Sequence, residues 1–191
     1  VSFVPTSLLN GFVVDIHFLA GDPRFQYLAY HFCSVLYPGY TQCALYNGTD
    51  SNSRLIGTEI IVTADIFEQL PMEERKFWHS HAFAVKSGLL VSPNTPPEQD
   101  LQVMSAVMNT YGKVTDLWHS YQIFPYGGVK LAFGLADESQ INETVANQLD
   151  QELGLNTTWH ERAKARAGLN PTILPGADAY LTTGEFPEYI T

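Results

Sequence analysis

Gly11-Phe12-Val13-Val14-Asp15-Ile16-His17-Phe18-Leu19-Ala20, followed by Gly21-Asp22-Pro23 and then by Arg24 to Leu36, is the stretch on which the fold class turns. The first ten residues are apolar and largely β-branched or aromatic, and Gly21-Asp22-Pro23 breaks the run, so a first strand is expected. Asp22 suits an N-cap and Pro23 the first helical position. The segment Arg24 to Leu36 therefore reads as a helix burying Leu28, Phe32, Val35 and Leu36, stopped by Pro38-Gly39.

Working outward, Tyr40 to Tyr46 and Arg54 to Thr63 read as strands joined by the polar turn 47–53. A helix over Ala64 to Phe77, interrupted at Pro71, leads to Trp78-His79-Ser80-His81 and a strand over Ala82 to Val91. Strand, helix, strand, strand, helix, strand is the split βαβ order of ferredoxin-like domains. Beyond it, Glu98 to Tyr111 carries apolar residues at helical spacing, and Val114 to Phe124 and Val129 to Leu135 look like further strands. Residues 137–167 read as helix and 168–191 as a Pro-, Gly- and Thr-rich tail. The expected fold is α+β: an antiparallel sheet with a ferredoxin-like βαββαβ core, extra strands and a helical C-terminal extension. Residues 1–191 form one domain, with 137–191 wrapping the core.

A chain of 191 residues with 45% hydrophobic, 13% aromatic and only 16% charged residues can bury a large core and is not disordered. Its net charge of -10 argues against nucleic acid and anionic membranes as partners. No apolar run approaches the roughly 20 residues of a transmembrane helix. A start at Val1 and the sequons at Asn47, Asn142 and Asn156 lead us to expect a processed, glycosylated, secreted chain. The alternative is a cytosolic, lipid-droplet-associated one. Cys33 and Cys43 are the two cysteines, read either as one disulfide closing a short loop or as two buried thiols.

Glu59 lies in the most apolar strand candidate, Leu55-Ile56-Gly57-Thr58-Glu59-Ile60-Ile61-Val62, where a carboxylate must be paired or bound to a metal unless that face is wet. Gly57, of the same parity, is expected to leave room for it. His79 and His81, two residues apart on an extended segment, point the same way and suit a metal ion. His17 shares a strand face with Asp15, and in the ferredoxin-like order its strand would neighbour that of Glu59. His31, on the expected helix, is the weaker ligand candidate. His119 and His160, each beside a Trp, read as structural or superficial. Imidazole and carboxylate donors make zinc the default divalent ion, with copper, iron and manganese as alternatives. An open coordination position would activate water. HExxH, GxSxG and Gly-rich phosphate loops are absent from the sequence, and Lys86 and Lys113 read as solvated.

The ordered set Gln42 to Tyr46, Arg54 to Glu59, Phe67 to Pro71, Trp78 to His81 and Val85 to Gly88 resembles the oil-body-associated protein family. The likeness spans about Leu9 to Leu135 and takes in His17, His31-Phe32-Cys33 and Tyr111-Gly112-Lys113. It implies His17, His31, Glu59, His79 and His81 as a shared set and, for plant members, an association with lipid droplets; it implies no particular reaction. Ala82 and Ala84 stand where family members often carry acidic residues. Two functions are thus expected. One is a secreted metal-binding protein, as an enzyme a metal-dependent hydrolase or oxidase acting on a small or polymeric extracellular substrate. The other is a non-enzymatic lipid- or partner-binding protein with structural histidines. Homodimerisation through an exposed sheet face is a further expectation.

Overall fold

The computed structural model describes residues 4–117 and 126–188. Its centre is a closed antiparallel β-barrel. A short helix α1 (Val4–Ser7) precedes β1 (Gly11–Leu19), β2 (Asp22–Tyr37), β3 (Tyr40–Tyr46) and β4 (Leu55–Thr63). Single-turn helices α2 (Ala64–Phe67) and α3 (Met72–Arg75) lead to the two-residue strand β5 (His79–Ser80) and to α4 (Ala82–Lys86). Then come α5 (Asp100–Val107), β6 (Thr110–Asp116), β7 (Lys130–Gly134), α6 (Glu143–Glu152), α7 (Trp159–Ala165) and α8 (Tyr180–Thr183). The first four strands form a meander. Closure comes from β4 pairing with β6, β6 with β7, and β7 with β1. The short β5 adds to β6 at Tyr111 and Gly112.

The ferredoxin-like expectation is therefore corrected: Arg24 to Leu36 is strand, not helix. Leu19 pairs with Asp22, so Ala20-Gly21 is a tight hairpin turn, with Gly21 at φ 83°. Asp22-Pro23 begins a strand instead of capping a helix. The register explains why the pattern misleads. Tyr27, Ala29, His31 and Cys33 face the lumen opposite residues of β1 and β3, while Leu28, Tyr30 and Phe32 face outward into a second core under the C-terminal segment. A strand apolar on both faces loses its period-two alternation and imitates a buried helical stripe.

A second correction concerns the segment after the paired histidines. Ala82 to Val91 is not a strand: Ala82–Lys86 is helical and ends at Gly88, whose φ of 78° suits the left-handed residue that terminates a helix. Gly88 also has no room for a side chain, since a Cβ would collide with the Trp159 carbonyl. The helix expected over Glu98 to Tyr111 ends at Val107, because Thr110 and Tyr111 already belong to β6. Residues 118–124 of the expected strand, His119 among them, lie outside the described residues.

Two cores flank the barrel wall. Inside, Leu19, Leu45, Val114 and Ala132 pack with the Cys33–Cys43 disulfide, which joins directly opposed residues of β2 and β3. Outside, Val14, Ile16, Phe18 and Phe133 are covered by Ala146 and Leu149 of α6 and by Tyr180 of α8. The C-terminal segment is held by buried arginines. Fully buried Arg166 pairs with Asp100 at 2.7 Å and donates to the carbonyls of Val85 (3.0 Å) and Leu90 (2.8 Å). Arg162 donates to the Gly88 carbonyl at 2.8 Å. Both anchors fix the α4 turn that follows the paired histidines.

Candidate metal centre

One barrel face carries the chemistry. Asp15 and His17 alternate on β1, His31 sits on β2, and Glu59 on β4; all four are buried. β5 delivers His79, and the turn into α4 delivers His81, both also buried. His17 and Glu59 do not meet as neighbours in one sheet, as the ferredoxin-like order required. They meet across the lumen, because β1 and β4 lie on different sides of a closed barrel. Likewise His79 and His81 do not share a continuing strand: His81 has φ -84° and ψ 2° as the chain turns into α4, yet the two rings sit 5.0 Å apart.

The five histidine and glutamate residues expected to act together do converge. Glu59 Oε2 lies 2.7 Å from His31 Nε2, and Glu59 Oε1 lies 3.3 Å from His81 Nε2 and 3.5 Å from His79 Nε2. The His17 ring is 5.0 Å from that of His31 and 5.6 Å from that of His79. Among the described residues, His17, Glu59 and His79 each offer a ligand atom within 4.8 Å of the others. Asp15 Oδ2 is 4.0 Å from His17 Nε2.

Hydrogen bonding assigns the ring protons. His31 Nδ1 faces the Ala29 carbonyl at 2.9 Å, an acceptor only, so Nδ1 is protonated. The Thr110 hydroxyl donates to the Val107 carbonyl at 2.7 Å and so accepts from His81 Nδ1, also at 2.7 Å. His81 Nε2 on the far side of the ring faces a Glu59 carboxylate oxygen at 3.3 Å. His31 Nε2 lies against Oε2: burial opposes a charge on His31, but the adjacent Glu59 raises its pKa above the ordinary imidazole value. Burial alone would raise Glu59, yet His31 holds it well below the ordinary carboxylate value. Burial drives His17 down and takes His79 to about 3, leaving both neutral, and lifts Asp15 to about 6. Both ring nitrogens of His17 and of His79, and Asp15 Oδ2, are buried without a hydrogen bond. Such groups are costly unless something lies between them.

Several supporting residues escaped sequence reasoning. Gly57 does not make room for Glu59; its Cβ would press on the Thr115 carbonyl. Gly112 on β6 does, since a Cβ there would fall on Glu59 Oε1 and lie 2.8 Å from His79 Cε1. Gly134 on β7 plays the same part for His79, with a Cβ 2.9 Å from its Cδ2. Asp178, from the C-terminal segment, accepts from the Ser80 backbone N–H at 3.0 Å and from its hydroxyl at 2.6 Å, clamping the residue between the two histidines. A glycine on the strand paired with that of Glu59 is the only advance signal, and it requires the pairing to be known. Lys113 pairs with Glu74 at 2.7 Å, and His160 stacks on Trp159 at the surface.

The family profile described as "Protein of unknown function (DUF1264)" matches residues 3–170. Among similar curated proteins, oil body-associated protein 1B of Arabidopsis thaliana is 32% identical over 167 residues, covering 86% of this chain and 69% of that protein. Oil body-associated protein 1A of Zea mays is 32% identical over 156 residues, covering 81% and 66% respectively. Oil body-associated protein 2A of Zea mays is 33% identical over 153 residues, covering 76% and 60%. No solved structure gives a significant match.

Proposed function

The chain belongs to the oil-body-associated protein family, and from that premise together with the lumen cluster we propose that it is a metal-binding barrel protein. The observation that carries this reading is the convergence on Glu59 Oε1 of His81 Nε2 at 3.3 Å and His79 Nε2 at 3.5 Å, beside the buried ring nitrogens of His79 and His17 that have no hydrogen-bond partner. A cation between these atoms turns unsatisfied polarity into ligation. For the Glu59 pairs the spacing fits: tetrahedral ligands with bonds of about 2.0–2.1 Å stand about 3.3–3.4 Å apart, and the Glu59 oxygen lies 3.3 and 3.5 Å from the His81 and His79 nitrogens, while His17, Glu59 and His79 are the three whose donor atoms all lie within 4.8 Å of one another. Glu59, His79 and His81 are the proposed ligands, with His17 as the fourth. His31 and Thr110 orient them, the outer contacts that metal sites use. Zinc is the ion this donor set favours.

A second reading is a non-enzymatic lipid- or partner-binding role. It rests on the relatives' printed association with oil bodies and on an apolar hairpin tip where Val35, Leu36 and Tyr37 are 71%, 50% and 54% exposed. No described helix is long and apolar enough to cross a membrane. Secretion and glycosylation remain our proposal from the disulfide and the exposed sequons at Asn47, Asn142 and Asn156; Asn142 also caps α6.

Elemental analysis tests the metal reading. Protein purified without chelator should carry near-stoichiometric divalent metal, Glu59→Gln should lose it, and chelation should lower the melting temperature of the wild type only. Metal-free wild-type protein with a melting temperature indifferent to added zinc would leave the second reading.

A further inference from the structure

A cavity of about 220 Å³ opens above the same cluster, its floor formed by Asp15, His31, Glu59 and His81. Those four side chains are at most 2% exposed, so they close the floor without offering polar surface to an occupant. The wall is apolar. Half-buried Val13, Ile61 and Val107 line it together with buried Leu90 and with Cys33 of the disulfide. Exposed Ala106, on α5, stands at the mouth. Of the lining hydroxyls, that of Thr110 is engaged on both sides: it donates to the Val107 carbonyl at 2.7 Å and accepts from His81 Nδ1 at 2.7 Å, which leaves Thr41.

We infer that this cavity binds a compact apolar molecule, the size of one benzene-like ring with short alkyl substituents, held by its wall and not by the charged groups beneath the floor. Concave, mostly apolar pockets are the usual form of small-molecule sites. The volume exceeds the about 150 Å³ of an engineered apolar cavity that takes up benzene, so a ring with small substituents fits. Water is a poor occupant, because a buried water needs about 2–4 polar partners and apolar cavities of this kind stay dry. A polar group carried past the mouth sheds its hydration and meets hydrocarbon, whatever its charge, since the carboxylates and imidazoles behind the floor present almost no surface to it. Selection thus rests on the wall alone. The inference goes beyond the metal reading, for the wall is the same whether or not the lumen takes an ion.

Two probes of the same shape, p-xylene and hydroquinone, separate apolar from polar occupancy, because whichever end of hydroquinone leads, one hydroxyl goes inside. Ligand-observed NMR and calorimetry on the intact protein should show p-xylene binding at least about tenfold more tightly than hydroquinone. Benzene should bind more weakly than p-xylene, since it buries less apolar area. Ala106→Trp at the exposed mouth should weaken p-xylene about tenfold or more, with a ligand-free melting temperature equal to that of the wild type, so that lost binding reports a blocked mouth and not a lost fold. A xenon-pressurised crystal of the wild type locates the site and decides the matter even if that variant misfolds: apolar cavities take up xenon, and a xenon atom is expected between Val13, Leu90 and Val107. Hydroquinone bound as tightly as p-xylene, full p-xylene affinity in a folded Ala106→Trp, or ordered waters in place of xenon would overturn the inference. Elemental analysis of the same samples keeps the two readings apart: metal without p-xylene binding sinks this one alone, and p-xylene binding without metal sinks the other alone.

Discussion

Glu59 holds the centre together because its two oxygens divide the labour: Oε2 is fixed by His31 at 2.7 Å, while Oε1 faces His79 and His81. That division depends on the missing side chain of Gly112. Gly112→Ala should displace the carboxylate, destabilise the fold by about 1–3 kcal/mol as overpacked sites do, and lower metal occupancy, read by urea titration and elemental analysis. A neutral Gly112→Ala would mean the lumen is looser than these contacts indicate. Asp116 supplies a pH test away from the proposed ligands. Burial raises its pKa from 3.8 to about 7 despite the hydrogen bond from Tyr27 and the charge of Lys130. The native state therefore favours the protonated acid: its contribution is complete below about 3.8 and is lost as pH rises through about 7. Asp116→Asn should become progressively more stable than wild type between pH 4 and 7, followed as the difference in melting temperature, with a constant difference across that range counting against it. Much of this residue scale was legible in the sequence. A glutamate in an apolar strand and an HxH are visible without structure, whereas the glycines that make space for them acquire meaning only from cross-strand pairing.

At the level of elements, the decisive one is β2, which was expected as a helix. Its residues are apolar on both faces because the lumen and the outer core each claim one, and no local signal distinguishes that from a buried helix. Once β2 is a strand, the meander has four members and β4 reaches β6, so one reading of Asp22-Pro23 separates a ferredoxin-like sheet from a barrel. The paired histidines survived the error since a strand and a tight turn both bring i and i+2 to one side. The anchoring of α7 was not legible, because an arginine in a polar helix usually faces water. Here Arg166 is 0% exposed and satisfies two carbonyls flanking the α4 turn. Arg166→Met should cost about 3–5 kcal/mol, the range for breaking a buried ion pair from one side, and should loosen the His81 turn. Denaturant unfolding measures the first; a cost under 1 kcal/mol would show that the Asp100 pair and the carbonyl bonds are dispensable.

For the molecule as a whole, closure is what makes the site. An open sheet would leave the carboxylates and imidazoles on one wet face, whereas a barrel places side chains from β1, β2, β4 and β5 around one enclosed point. Burial then removes water as a partner, and four ring nitrogens on His17 and His79 stand without hydrogen bonds. The C-terminal segment completes the enclosure by covering the outer face of β1 and β7 and by clamping Ser80 through Asp178. Anomalous diffraction from a crystal, recorded above and below the zinc absorption edge, tests the central claim most directly. The account predicts one strong edge-dependent peak inside the barrel, about 2.0–2.2 Å from a Glu59 oxygen and from the Nε2 atoms of His79 and His81. A lumen with no peak at the zinc, copper, iron or manganese edge, with ordered waters bridging the imidazoles instead, would contradict it.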